Sequence, residues 1–212
     1  MTARTDRETK ILDVAADMLV RHGYRRVTID DVAGAAGIGK GTVYLHWKTR
    51  EALFVAVFAR EVRAAIADMV TALRADPAVA LLHRFAVEFF LAILRRPLLY
   101  GMAIGDVQMW GKLVGSQTGY DGGRHTTVLE SYIDVLASRG LVRADLAPPE
   151  LTYAFQAVFE GFVYAERAVD TTGSRDERVR LLSATVESAF SRPGTPDAAL
   201  AGEVVALLSG LV

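Results

Sequence analysis

Between Thr28 and Arg50 the chain gathers hydroxyls, cations, glycines and one imidazole at helical spacing. Thr28-Ile29-Asp30-Asp31 is a helix-capping pattern that opens a short apolar run, Val32, Ala33, Ala35 and Ala36, and the run stops at Gly37. Ile38-Gly39 turns the chain, and Lys40 to Trp47 forms a second short helix. Two helices of about two turns joined this way make a helix-turn-helix arrangement, whose second helix can enter a DNA major groove. At about 100° per residue, Val43 and Trp47 lie within about 40° of each other and face a core, which leaves Gly41, Thr42, Leu45 and His46 for the opposite face. That face suits recognition better than bond breaking. Gly41 lets a duplex approach, Thr42 bonds a base edge, Leu45 meets a thymine methyl, and His46 reaches a phosphate. Lys40 extends into the groove, and Tyr44, at the edge of the core face, turns its hydroxyl to the DNA backbone. Thr28 and Arg50 stand at helix starts, where free amides suit phosphate oxygens.

These residues need a scaffold, and the flanking sequence supplies it. Thr5 and Glu8 form a capping pair ahead of Ile11, Leu12, Ala15, Met18 and Leu19, and His22-Gly23 ends that helix. Thr49-Arg50-Glu51 opens a long helix reaching about Arg74, which Asp76-Pro77 stops. Helical periodicity continues over Val79 to Arg95, Leu98 to about Val114, Thr126 to Arg139, Pro148 to Val169, Asp176 to Ser191 and Pro196 to Leu211. No segment reads as a strand. The expected fold is all-α, with an N-terminal three-helix bundle over residues 1–50 and a larger helical domain over residues 51–212.

Composition limits the functional classes. The 212 residues are 51% hydrophobic and 23% charged, a balance that buries a core, and the absence of Cys excludes disulfides, thiolate metal sites and a cysteine nucleophile. The net charge of -1 is uneven: residues 1–50 hold nine Lys/Arg against six Asp/Glu, so the first fifty residues carry +3 and the rest -4. A polyanion partner would meet the N-terminal part. No membrane span or export signal is expected, which points to the cytoplasm. Gly34 to Thr42 nearly matches a phosphate-binding loop, but Gly41 replaces the Ser/Thr magnesium ligand and a helix precedes it where a strand belongs. His22, His46, His83 and His125 lack ligand spacing. No catalytic residue, metal or cofactor is expected.

Over residues 7 to about 57 the sequence resembles the tetracycline-repressor (TetR) family of transcriptional regulators. The likeness rests on Thr28-Ile29-Asp30-Asp31-Val32-Ala33, on Ala36-Gly37-Ile38, and on the unbroken stretch from Lys40-Gly41-Thr42-Val43-Tyr44-Leu45-His46-Trp47 to Leu53. The resemblance implies DNA contacts from Thr28, Lys40, Gly41, Thr42, Tyr44, His46 and Arg50, with Val43 and Trp47 structural. Gly39 departs from the family's usual Ser or Thr cap, and Leu45 from a position often polar or aromatic. Beyond residue 60 the resemblance implies a helical ligand-binding and dimerisation domain, pairing through helices at about 148–169 and 176–191.

In that domain Tyr153, Gln156, Glu160, Tyr164 and Arg167 form a polar stripe on an otherwise apolar helix. The stripe lines either a ligand cavity or a dimer interface, and the small residues Ala154, Ala157, Gly161 and Ala165 allow close helix contact. Phe89, Tyr100, Met102, Met109 and Trp110, with Asp106, Gln156 and Glu160 as polar groups, are the residues expected around a small hydrophobic effector. The expected function is ligand-responsive transcriptional regulation by a homodimer. In its simplest form a repressor binds a pseudo-palindromic operator and is released by the effector. The competing readings are a sequence-nonspecific DNA-packaging protein and a helical enzyme or lipid carrier.

Overall fold

Apolar residues spaced for one helix face produce helices throughout the described part of the computed structural model, residues 3–106, 109, 122–168 and 173–211. In chain order these are α1 (Ala3–His22), α2 (Ile29–Ala36), α3 (Lys40–His46), α4 (Arg50–Ala75), α5 (Leu82–Leu94) and α6 (Pro97–Ala103). They are followed by α7 (Gly122–Ser138), α8 (Pro148–Ala165), α9 (Arg175–Phe190) and α10 (Ala198–Ser209). The fold is all-α. Extended pairing among the described residues is confined to an isolated antiparallel bridge between Val142 and Ser191.

Helix ends follow from local chemistry. The Ser174 hydroxyl and Glu177 carboxylate cap the start of α9 reciprocally, and the Asp197 carboxylate accepts from the Leu200 amide at 2.7 Å to start α10. The structure differs from the periodicity in two places. Pro77–Ala80 is a 3-10 turn in which the Asp76 carboxylate accepts from the Ala78 amide at 2.9 Å, so α5 begins at Leu82 and not near Val79. The helix expected from Leu98 to Val114 ends at Ala103, because Gly105 takes φ 65° and the Asp106 amide folds back onto the Gly101 carbonyl at 2.8 Å. The Asp106 carboxylate accepts from the Met109 amide at 3.1 Å.

The chain divides into two units, one made of Met1–Val62 with Arg96–Tyr120 and the other of Arg63–Arg95 with Asp121–Val212. The sequence suggested a first domain ending at residue 50. In the first unit Ile11, Ala15, Leu19, Val32, Val43, Leu53 and Phe54 are sealed from solvent, and α1 also packs on α6. In the second, α5 packs on α9, α7 on α8, and α10 on α7 and the 3-10 turn. Aromatic rings fill the space between these helices: Phe85 meets Tyr132 at 4.6 Å, Phe89 stacks on Phe159 at 5.2 Å, and Phe155 meets Phe190 edge to face at 6.2 Å. The buried Tyr132 hydroxyl donates to the Ala80 carbonyl at 2.8 Å, and burial pushes its ionisation well above the usual tyrosine range.

Candidate nucleic-acid interface

Thr28 sets the start of α2. Its hydroxyl accepts from the Asp31 amide at 3.2 Å and donates to the Asp31 carboxylate at 2.6 Å, while the same carboxylate accepts from the Thr28 amide at 3.0 Å. These bonds, the Thr28 hydroxyl first, hold the Asp31 carboxyl below its ordinary range. α2 ends at Gly37, whose φ of 67° is the left-handed value that reverses the chain, with the Ile38 amide donating to the Ala33 carbonyl at 3.0 Å. Gly39 then starts α3 without a side-chain cap, as its residue type dictates.

α3 has two unlike faces. Val43 is wholly buried and Trp47, just past the last turn, is 8% exposed, so both pin the helix to the bundle as the wheel predicted. Leu45 is 74% exposed and Tyr44 37% exposed, and Gly41 faces open space in which an added Cβ would meet nothing within 4 Å. Thr42 is half-buried beside them. No packing inside the protein requires glycine at position 41, where it weakens a short helix. A partner coming close from outside would.

Three residues expected at the DNA also have partners within the protein. His46 was expected on the outer face, but its imidazole is only 10% exposed, lies against the Trp47 ring at 5.3 Å between centroids, and brings Nδ1 to 3.9 Å from the Glu8 carboxylate of α1. It lies about 60° from Val43 on the wheel, close enough for the bundle to draw it inward. Arg50 lays its guanidinium over the Tyr24 ring, 4.3 Å from the centroid, and Nη1 donates to the Tyr24 and Val27 carbonyls at 3.3 and 3.4 Å. The Tyr24 hydroxyl donates to Glu51 at 2.9 Å, so Arg50 and Glu51 together fasten the start of α4 to the α1–α2 connection. Burial, then that bond, raises the Tyr24 ionisation, whereas Glu51's own amide and the Tyr24 hydroxyl lower that of Glu51. The Thr28 hydroxyl is committed to the cap.

Lys40 is the exposed cation of α3, and it is partnered. Its Nζ lies 2.7 Å from the Asp30 carboxylate and 5.9 Å from the centroid of the Tyr44 ring. The bond to Asp30 raises the Lys40 pKa. Lys48 donates to the Tyr44 carbonyl at 3.1 Å, closing the C-terminal end of the helix. Sequence reasoning missed Tyr24 and Asp30. The chain signals neither, since each acts on a residue at least ten positions away.

The residues expected around an effector fall in both units. Tyr100, Met102, Asp106 and Met109 belong to the first unit, and Phe89, Gln156 and Glu160 to the second; Trp110 lies outside the described residues. Met109 packs against Gly101, and its carbonyl accepts from the Tyr24 amide at 3.0 Å. Gln156 donates to Glu160 at 2.7 Å along an exposed face of α8 that also carries Tyr153 and Tyr164, 77% and 58% exposed. Among the described residues no group of three His, Asp or Glu is placed to hold a metal ion, and no helix is long and apolar enough to cross a membrane.

This arrangement matches known proteins. Residues 11–57 match the family model for bacterial regulatory proteins of the tetR family. An uncharacterized HTH-type transcriptional regulator of Mycobacterium bovis is 42% identical over 57 residues, 27% of this chain and 28% of the relative. The HTH-type transcriptional activator FasR of Mycolicibacterium smegmatis is 31% identical over 87 residues, 41% of this chain and 40% of the relative. The similarity therefore spans between about a quarter and two-fifths of these relatives' length. The fold likeness extends further: the fatty acid degradation regulator FadR of Bacillus halodurans superimposes with a TM-score of 0.67 at 14% identity, over 85% of this chain and 94% of that one. Residues 11–57, which hold the helix-turn-helix, thus match the tetR family of bacterial regulatory proteins, and the all-α fold around them is one that solved regulators share.

Proposed function

We propose that the protein is a homodimeric, ligand-responsive DNA-binding repressor that reads a pseudo-palindromic operator through α3 and is released by a small hydrophobic effector. The observation that carries the reading is the division of α3, with Val43 and Trp47 locked into the bundle and Gly41, Tyr44 and Leu45 presented outward. In this reading Lys40, Gly41, Thr42, Tyr44 and Leu45 meet the duplex, Leu45 against a thymine methyl. Thr28, His46 and Arg50 act by holding α2, α3 and α4 in place. Two α3 helices related by dimer symmetry read successive major grooves when about 34 Å apart, or a multiple of it. The effector binds in the helical body, and a coupling of about 1–3 kcal/mol changes operator affinity about 5- to 150-fold.

The deciding experiment is selection of bound duplexes from a random library by the purified protein at two salt concentrations. An inverted repeat that stays enriched at the higher salt is the expected result. Salt-sensitive binding with no enriched sequence would make it a packaging protein, and no binding at either salt, even after refolding to strip a co-purified ligand, would remove the DNA-binding reading.

A further inference from the structure

The recognition helix displays a lysine, yet that lysine is already neutralised. Asp30 stands in the first turn of α2, and its carboxylate meets the Lys40 ammonium at 2.7 Å with the two side chains 63% and 50% exposed. Asp30 is not part of the α2 cap, because Asp31 alone accepts from the Thr28 amide and hydroxyl. With His46 turned toward α1, Lys40 is the cation that α3 offers to solvent, and its pairing with Asp30 carries no net charge.

We propose that Asp30 is a positioning residue that restrains DNA binding by holding Lys40, so that a phosphate engages the lysine only by displacing the carboxylate. The inference rests on the DNA-binding reading above. Exposed ion pairs are weak and exchange readily, so the restraint lowers affinity without abolishing it. It acts on a backbone contact and therefore applies to every duplex, which keeps sequence-independent binding low. Two effects of Asp30 combine: its repulsion of nearby phosphates, and the Lys40 partnership that is lost on binding. Only the second needs the lysine.

The test uses the full chain and a random-sequence duplex pool of about 30 base pairs, long enough for about three helical turns, with fluorescence anisotropy read over a potassium chloride series. Asp30→Asn is expected to tighten binding about three- to tenfold at low salt, and Asp30→Ser, which keeps a helix-starting residue, to do the same, with both variants melting like the parent. The gain is expected to be larger with Lys40 present than in the Lys40→Ala background. Equal gains in the two backgrounds would reduce Asp30 to simple repulsion and overturn the restraint, as would no gain. Loss of all duplex binding by every protein, parent included, would instead overturn the DNA-binding reading and this proposal with it.

Discussion

Trp47 shows how much one side chain decides. It follows the last turn of α3, is 8% exposed, and has the His46 ring against it, so the indole fixes where α3 ends. Trp47→Ala leaves a cavity in a small bundle and is expected to cost about 3–5 kcal/mol, read as an earlier denaturant midpoint. An unchanged midpoint would remove its core role. Val43 and Trp47 were legible in the sequence because core-facing residues repeat at the helical period. His46 and Arg50 were not. Their partners, Glu8 in one case and Tyr24 with Val27 in the other, lie on other segments, and a wheel drawn for a single helix contains none of them.

At the scale of the element, α2 is held by its cap. Thr28→Ala removes the hydroxyl that accepts from the Asp31 amide, a loss of about 0.5–2 kcal/mol for a capping residue. The cap also depends on acid. The Asp31 carboxyl ionises below its ordinary value in the folded chain, so its contribution is present above the unfolded carboxylate range and is lost as pH falls through the lowered folded value. Melting the parent and Asp31→Asn between neutral pH and pH about 3 checks the sign: the parent is expected to lose more stability on acidification than the variant. This cap was legible, since Thr and Asp three residues apart carry the bonding pattern in their types. The end of α6 was harder to read, because Gly105 fits a helix at some cost and a left-handed turn at none, and the Asp106 amide's bond to Gly101 accompanies the turn.

For the whole molecule, the exposed face of α8 and its neighbour α9 carries the strongest expectation. Tyr153, Tyr164 and Leu181 are 77%, 58% and 47% exposed, and Ala157 and Gly161 lie between the tyrosines, with no atom within 4 Å of a Cβ placed on Gly161. Large apolar groups left in solvent around small residues suit close contact with a second copy of the chain. In the proposed dimer, Gly161→Arg is expected to shift the sedimenting species to monomer and to weaken binding to the proposed inverted-repeat duplex more than to a single half-site. A variant that remains a dimer would move the interface off this face.

Period, residue type and short spacing are local properties of the chain, and they suffice for the helical fold, the helix-turn-helix, the α2 cap and the inward pair Val43 and Trp47. Tertiary structure decided which polar groups remain available on that framework. The crossing of α2 and α3 brings Asp30 to Lys40 across ten positions, the α1–α2 connection takes up the Arg50 guanidinium, and α1 draws in the His46 imidazole. Hydrogen bonds and ion pairs act over a few ångströms of space and are indifferent to separation along the chain, so only the packed helices determine where those charges are spent.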